Sequence, residues 1–220
     1  MELIPRFPPQ EMSSVIGSLV SAGHDCSRLI KAAEFVVRRR FSEFNPQSLA
    51  MLVWAAAVNG VYDLEIFQRV MQIDWSSFSS GITSATRRQL SLALVAYQWE
   101  SPTRYSHPLP VLPFAPLVSS PPQSDSLLHH QVSECLSEMR VPHENEFTIT
   151  PGLVVDIAIK SHRLAIEVNG PFHYLFGRNG EMMLDGSTKF KSRILKKMGW
   201  KGVESLQVVN IRCSRNTFIK

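Results

Sequence analysis

The C-terminal part of the chain is organised around Val154-Val-Asp-Ile-Ala-Ile-Lys-Ser-His-Arg-Leu-Ala-Ile-Glu-Val-Asn-Gly-Pro-Phe-His-Tyr174. Alternating apolar side chains predict two strands here, Leu153–Ile159 and Leu164–Asn169, joined by a polar turn. Successive side chains of a strand point to opposite faces. Each strand therefore has one apolar face and one face with a single carboxylate, Asp156 on the first and Glu167 on the second.

The two carboxylates are predicted to face each other. If the turn closes with Ile159 opposite Leu164, the register carries Asp156 to the position opposite Glu167. Side chains paired across strands lie roughly 4.5–5.5 Å apart at Cβ, and like charges there destabilise the sheet. The pair therefore predicts a metal ion, a basic side chain or a shared proton between the two groups.

Basic charge is concentrated in the C-terminal third. The whole chain of 220 residues has a formal net charge of +4. Residues 151–220 hold 12 Lys and Arg against 5 Asp and Glu, whereas residues 1–150 have a net charge of −3. A small basic domain favours a polyanionic partner, nucleic acid before membrane. Cys26, Cys135 and Cys213 lie far apart with no CxxC spacing, which argues against a zinc site.

The predicted fold class is α + α/β. Helical periodicity and capping signals predict five helices in the N-terminal part, Glu11–Ala22, Cys26–Arg40, Pro46–Asn59, Asp63–Met71 and Thr83–Trp99. Around the central strands we expect a helix and a strand before them and a helix and a strand after them, at Asp125–Met139, Phe147–Thr150, Ser187 or Thr188 to Met198, and Leu206–Ile211. The predicted domains are a helical domain at 1–100, a Pro/Ser-rich linker at 101–124 and an α/β domain at 125–220.

The last predicted helix has one apolar face and one cationic face. At 100° per residue its apolar side chains lie opposite four cations, Lys189, Arg193, Lys196 and Lys197. Such a cationic face suits a phosphate backbone. The candidate RNA-binding residues are these four together with Lys160, Arg163, His173 and Tyr174, where the aromatic rings, with Phe172, could stack on unpaired bases.

Two motifs together resemble the RAP domain of organellar RNA-binding proteins. They are Val155-Asp-Ile with Ala165-Ile-Glu-Val-Asn-Gly-Pro-Phe-His-Tyr174, and Gly186-Ser-Thr-Lys-Phe-Lys-Ser-Arg-Ile-Leu-Lys-Lys-Met-Gly-Trp200. The resemblance covers about residues 125–216. It implies a compact fold similar to that of restriction-endonuclease-like nucleases, a role in organellar RNA processing, stability or translation, and an upstream helical repeat region.

The N-terminal part carries a second resemblance. Residues 46–60 resemble one repeat of the octotricopeptide type, and residues 88–97 are a weaker echo of it. A solenoid needs at least about three repeats to bury a continuous core. A plain helical bundle is the alternative interpretation.

The resemblance also raises the question of nuclease activity. In the related nucleases an Asp and a Glu on adjacent strands hold a divalent cation, and a Lys two residues beyond the Glu stabilises the developing charge on phosphate. Asp156 and Glu167 match, which makes them candidate catalytic and metal-binding residues, but Asn169 stands at the Lys position. An uncharged amide cannot replace an ammonium group. We therefore expect no cofactor, or Mg²⁺ if the acid pair is active.

Other residues could change that outcome. A cation could reach the acid pair from another element, with Lys160, Lys189 and His173 as candidates. Alternatively the pair is structural, and its carboxylates accept backbone N–H bonds or pair with Arg163, Arg193 or His173.

Taken together, these observations predict an RNA-binding protein of an organelle, the mitochondrion first and a plastid as the alternative. The specific expectation is a structural component of the mitochondrial ribosome or of another ribonucleoprotein. Its partners would be RNA, in particular rRNA, and other proteins of the assembly, with no membrane. The alternatives are a metal-dependent endoribonuclease and a protein-binding scaffold.

Overall fold

The computed structural model describes residues 7–75, 83–101, 127–168, 174–176 and 181–204. Its first five helices form the helical part: α1 (Pro9–Ser21), α2 (Ser27–Arg40), α3 (Pro46–Val58), α4 (Glu65–Gln72) and α5 (Ser84–Glu100). Every predicted N-terminal helix is thus present, with ends that differ by at most two residues. Asn45 caps α3, since its side chain accepts a hydrogen bond from the Ser48 N–H.

The α/β part follows with α6 (Leu127–Glu138), β1 (Glu144–Thr150), β2 (Leu153–Ile159), β3 (Leu164–Glu167), β4 (Tyr174–Phe176), β5 (Met182–Leu184), α7 (Gly186–Lys197) and β6 (Lys201–Glu204). Four strands form one sheet in the order β1-β2-β3-β6, and β4 and β5 pair separately as an antiparallel hairpin. β3 and β6 are parallel, and α7 makes the crossover between them. The α + α/β fold class is confirmed.

Several predicted boundaries were wrong. α7 begins at Gly186, because the Asp185 carboxylate, and neither Ser187 nor Thr188, accepts the N-capping hydrogen bond. β1 begins at Glu144, three residues early, since its polar first half is exposed and carries no apolar alternation. β4 and β5 were not predicted, because strands of three residues are too short to show a periodicity. The predicted strand Leu206–Ile211 and nearly all of the linker lie outside the described residues.

The predicted hairpin register is confirmed. Ile157 pairs with Ile166, and Ile159 pairs with Leu164. The same register places Asp156 opposite Glu167 on one face of the sheet. The connecting turn is a single 3₁₀ turn that ends at Arg163, whose φ of 48° is in the left-handed region.

One buried cluster runs through both parts of the chain. It joins small and aliphatic side chains of α3 and α5 to Leu153 and Val155 of β2 and to Phe190, Ile194 and Leu195 of α7. A second cluster covers the other side of the sheet, where Leu136 of α6 packs on isoleucines of β2 and β3. Because α7 and the sheet share a core with the helical part, the two parts pack as one body.

Two glycines permit this close packing. A Cβ at Gly186 would lie 2.0 Å from the carbonyl oxygen of Val20, at the end of α1. A Cβ at Gly152, which has a φ of +84°, would lie 2.6 Å from the Ser91 Cβ in α5. Both positions therefore require glycine. Within the described ranges, no helix is both long enough and apolar enough to cross a membrane.

Candidate functional site

The acid pair is held by a basic side chain and a backbone N–H group. Lys191, one turn into α7, places its Nζ 2.6 Å from Glu167 Oε2. Val168 donates its backbone N–H to Asp156 Oδ2 at 2.6 Å. The repulsion expected between the two carboxylates is therefore offset within the chain.

Sequence reasoning missed Lys191. The sequence predicts Lys160, Lys189 or His173 as the cation that reaches the pair. Lys160 pairs with Glu144 instead and Lys189 lies beside Gly23, whereas His173 lies outside the described residues. The sequence contains evidence for this contact, because Lys191 precedes the buried Leu195 by four residues. Residues four apart share a helix face, so Lys191 belongs to the side of α7 that packs on the sheet.

Burial sets the charge state of Glu167. Its desolvation raises the pKa of the carboxyl to about 7, and Lys191 acts in the opposite direction while the nearby Asp156 raises the pKa further. The ammonium group thus offsets only part of the cost of burying this carboxylate. Near neutral pH Glu167 holds a proton in a substantial fraction of the molecules.

Protein donors occupy one oxygen of each carboxylate of the acid pair. Mg²⁺ is coordinated by carboxylate oxygens, so each of these two bonds competes with a metal ion for one oxygen. Here Lys191 contacts Glu167 Oε2, and the Val168 N–H contacts Asp156 Oδ2. Among the described residues no group of three His, Cys, Asp or Glu side chains is placed to hold a metal. Asn169 lies outside the described residues, so its role at the lysine position stays a prediction.

Glu167 and Lys191 line a cleft between the two parts of the chain. The cleft encloses about 310 Å³ between α5 and α7. The helical part contributes Trp54, Arg88, Gln89 and Leu92, and α7 contributes Ser187 and Ser192. Glu167, one member of the acid pair, therefore lines a cavity that neither part forms alone.

A second group of charged residues lies at the opposite end of α7. We call it the basic end, formed by Lys160, Arg163, Lys196, Lys197 and Lys201. All five are exposed. The Lys201 N–H donates to the Arg163 carbonyl at 2.8 Å, which joins the hairpin turn to the start of β6.

The five cations are not equally available. Arg163 donates from Nη2 to the Met198 carbonyl at 2.7 Å, so it caps the end of α7. Lys160 forms an ion pair with Glu144. Lys196, Lys197 and Lys201 form no ion pair with any side chain in the described part of the chain. These three ammonium groups are both exposed and without an anionic partner among the described side chains.

The remaining cations of the predicted helix face lie elsewhere. Arg193 binds the helical part, where it contacts the carboxylate of Glu100 and donates to the Val58 carbonyl at 2.7 Å and to the Ala57 carbonyl at 2.6 Å. Lys189 is exposed, and its Nζ lies near Gly23, just beyond the end of α1. A Cβ added to this glycine would lie 3.7 Å from that nitrogen. The four predicted cations therefore do not form one surface. Arg193 binds the helical part, Lys189 lies near the start of α7, and Lys196 and Lys197 lie at its end.

Of the three aromatic candidates, Tyr174 alone lies among the described residues. Tyr174 is half-buried in β4 and pairs with Leu184 of β5. His173 and Phe172 lie outside the described residues. At the basic end itself the Trp200 ring is buried beneath the guanidinium of Arg163, 5.9 Å from its centre.

Comparison with known proteins agrees with this geometry. Residues 166–204 match the RAP domain family, and this segment contains Glu167, the whole of α7 and β6. No curated protein matches the chain. The octotricopeptide-like repeats of the helical part stay a prediction. Residues 166–204 are thus similar to the RAP domain, a domain that is associated with RNA binding.

Proposed function

We propose that this protein binds RNA through its RAP domain and is a fixed component of an organellar ribonucleoprotein. The leading case is the mitochondrial ribosome, with rRNA as the bound RNA and a plastid as the alternative compartment. The observation that carries the proposal is the basic end, where Lys196, Lys197 and Lys201 are exposed without a partner among the described side chains.

These lysines suit contact with phosphate groups. Lys196 and Lys197 end α7 and Lys201 begins β6, and the capping bond from Arg163 ties the two elements together. Binding of a cation to phosphate releases counterions, and each contact adds roughly 0.7–0.9 to the slope of log affinity against log salt. Three contacts predict a slope of about −2 to −3 from this surface alone.

The packing supports a fixed component more than a moving one. α7 shares its core with α3 and α5, and Arg193 ties it to the end of α3. The RNA-binding surface is therefore held rigidly against the helical part. Residues 1–100 hold 9 Lys and Arg against 9 Asp and Glu, so the helical part lacks the excess positive charge of the C-terminal third and is better suited to protein neighbours in the assembly.

The test is to incubate the full chain with a mixed pool of single-stranded and structured RNA, with and without Mg²⁺ or Mn²⁺, and to follow binding and cleavage together. The proposal predicts salt-sensitive binding with the RNA left intact. Ultraviolet crosslinking in cells and sequencing of the recovered RNA then tests the rRNA assignment, and organelle fractionation tests the mitochondrial one. Absence of salt-dependent affinity would favour a protein-binding scaffold.

The alternative function is a metal-dependent endoribonuclease. One observation favours it, because Lys191 supplies an ammonium group beside Glu167 where the sequence motif has Asn169. In the same pool experiment this alternative predicts cleavage that requires a divalent ion and is lost in both Asp156→Ala and Glu167→Ala. Intact RNA under all conditions would remove it.

A further inference from the structure

The cleft between α5 and α7 combines apolar walls with a polar rim. Trp54, Leu92 and Leu195 supply apolar surface, and Gln89, Ser192 and Lys191 supply hydrogen-bonding groups. Arg88 and Lys191 make the lining net positive even when Glu167 is ionised. A ligand that fits this lining has an apolar part, a polar edge and a negative charge.

The walls of the cleft are fixed by close packing between elements of the fold. At its base the β1–β2 turn approaches α5 so closely that a Cβ at Gly152 would lie 3.0 Å from the Leu92 backbone nitrogen. Its volume of about 310 Å³ is near the lower end of the range of roughly 300–1,000 Å³ typical of small-molecule sites. Such a volume suits one nucleotide unit better than a longer segment of RNA. Gln89, Leu92, Lys191 and Ser192 are half-exposed, so the cavity is open to solvent on this side.

We propose that this cleft binds a single unpaired nucleotide, with its base between Leu92 and the α7 side and its phosphate toward Lys191 and Arg88. Buried base edges need hydrogen-bond partners, and the Gln89 amide and the Glu167 carboxyl each offer such groups. The inference rests on the proposed RNA-binding function and adds a second site to it, on the side of α7 that faces α5.

The direct test is titration of the full chain with AMP, GMP, CMP and UMP, followed by calorimetry and saturation-transfer NMR. At least one of the four is expected to bind with a Kd at or below about 1 mM. Ribose 5-phosphate, which lacks the base, is expected to bind at least ten-fold more weakly. Equal binding of ribose 5-phosphate would show a phosphate site without base recognition and would overturn the inference.

Matched variants locate the binding. Gln89→Glu places a carboxylate at the rim and is expected to weaken mononucleotide binding ten-fold or more. Gln98→Glu makes the same change at an exposed position of the same helix and is expected to have no effect. Leu92→Trp fills the cleft and is expected to abolish binding, with circular dichroism used to verify its fold. If Gln89→Glu and Gln98→Glu behave alike, the nucleotide does not bind in this cleft.

The inference and the proposed function can fail separately. If RNA binds with a steep salt dependence but none of the four mononucleotides binds at 10 mM, a concentration about ten-fold above the expected Kd, the cleft inference fails and the RNA-binding proposal stands. If a mononucleotide binds in the cleft but the basic end gives no salt-dependent RNA affinity, the proposal of RNA binding through the basic end fails and the cleft inference stands. An RNA hairpin with a one-nucleotide overhang tests the two sites together. It is expected to bind more tightly than a blunt hairpin, and this difference in affinity is expected to disappear in Leu92→Trp.

Discussion

Lys191 Nζ lies 2.6 Å from Glu167 Oε2, so the ammonium group of α7 contacts the acid pair that faces it from the sheet. In a metal-dependent nuclease a divalent cation would be expected at such a pair. Here the ion pair uses one oxygen of Glu167, and the hydrogen bond from Val168 uses one oxygen of Asp156. This relationship explains how two facing carboxylates can be stable on one face of the sheet.

Replacement of Lys191 tests that relationship. Lys191→Met leaves the Glu167 carboxyl buried without its ammonium partner, and we expect a loss of about 1–3 kcal/mol in the free energy of unfolding at pH 8. The loss is expected to be smaller at pH 5.5, because Glu167 can then take up a proton. Urea denaturation at the two pH values measures the difference, with Lys197→Met at the exposed end of the same helix as control. An equal loss at both pH values would contradict the assigned ion pair.

Glu167 also predicts how stability depends on pH. The pKa of its carboxyl is raised to about 7 in the folded protein from an ordinary value of 4.5. Between these values the folded state binds more protons than the unfolded state, so the free energy of unfolding falls as pH rises from about 4.5 to about 7. A shift of this size corresponds to at most about 3 kcal/mol. Glu167→Gln is expected to flatten this part of the profile.

A second carboxyl group also contributes to the dependence of stability on pH. Burial also raises the pKa of Glu34, which therefore acts in the same direction. The difference between the profiles of the parent protein and Glu167→Gln isolates Glu167, since Glu34 is unchanged in both. A difference that stays constant across the range would show that Glu167 does not titrate as described.

Arg193 is expected to stabilise the fold without binding RNA. Arg193→Met removes the donors to Glu100 and to two carbonyls of α3, and leaves the buried Glu100 carboxylate without its cation. We expect a loss of about 2–4 kcal/mol in stability. Arg193→Lys is expected to recover little of it, because an ammonium group cannot match the planar fork of donors. For folded Arg193→Met at low temperature, unchanged RNA affinity is expected, and a reduced salt slope would contradict this role.

The contact between α1 and α7 gives a further prediction. Gly186→Ala would place a Cβ 2.0 Å from the Val20 carbonyl oxygen, and neither backbone can move without disturbing the shared core. We expect a loss of at least about 2 kcal/mol in stability, measured by thermal or urea denaturation. Gly202→Ala is the matched control, since its Cβ would meet only the Ser192 hydroxyl at an ordinary 3.9 Å.

Much of the fold could be predicted from local pattern. The alternation of β2 and β3 with their short turn determines the register, and so the facing of Asp156 and Glu167. The helical periodicity and the Asn45-Pro46 signal gave the helices of the N-terminal part to within two residues. These features depend on neighbours in sequence, which a sequence pattern records directly.

The rest depends on packing between distant residues. A helical wheel placed Arg193 with Lys196 and Lys197, but it could not show that α3 would offer two carbonyls and α5 a carboxylate to this one side chain. The partner of Glu167 likewise comes from a helix 24 residues further along the chain. The cleft between α5 and α7 results from the same packing between residues distant in sequence, so no local sequence motif predicts it.

The most direct measurement of the central claim is the salt dependence of RNA binding by the triple variant Lys196→Met, Lys197→Met and Lys201→Met. Lys31→Met, an exposed lysine of α2, is the control for loss of positive charge. We predict that the triple variant binds RNA more weakly and that its slope against log salt is shallower by about 2–3, with Lys31→Met unchanged. An unchanged affinity and slope in the triple variant, with its fold intact, would contradict RNA binding through the basic end.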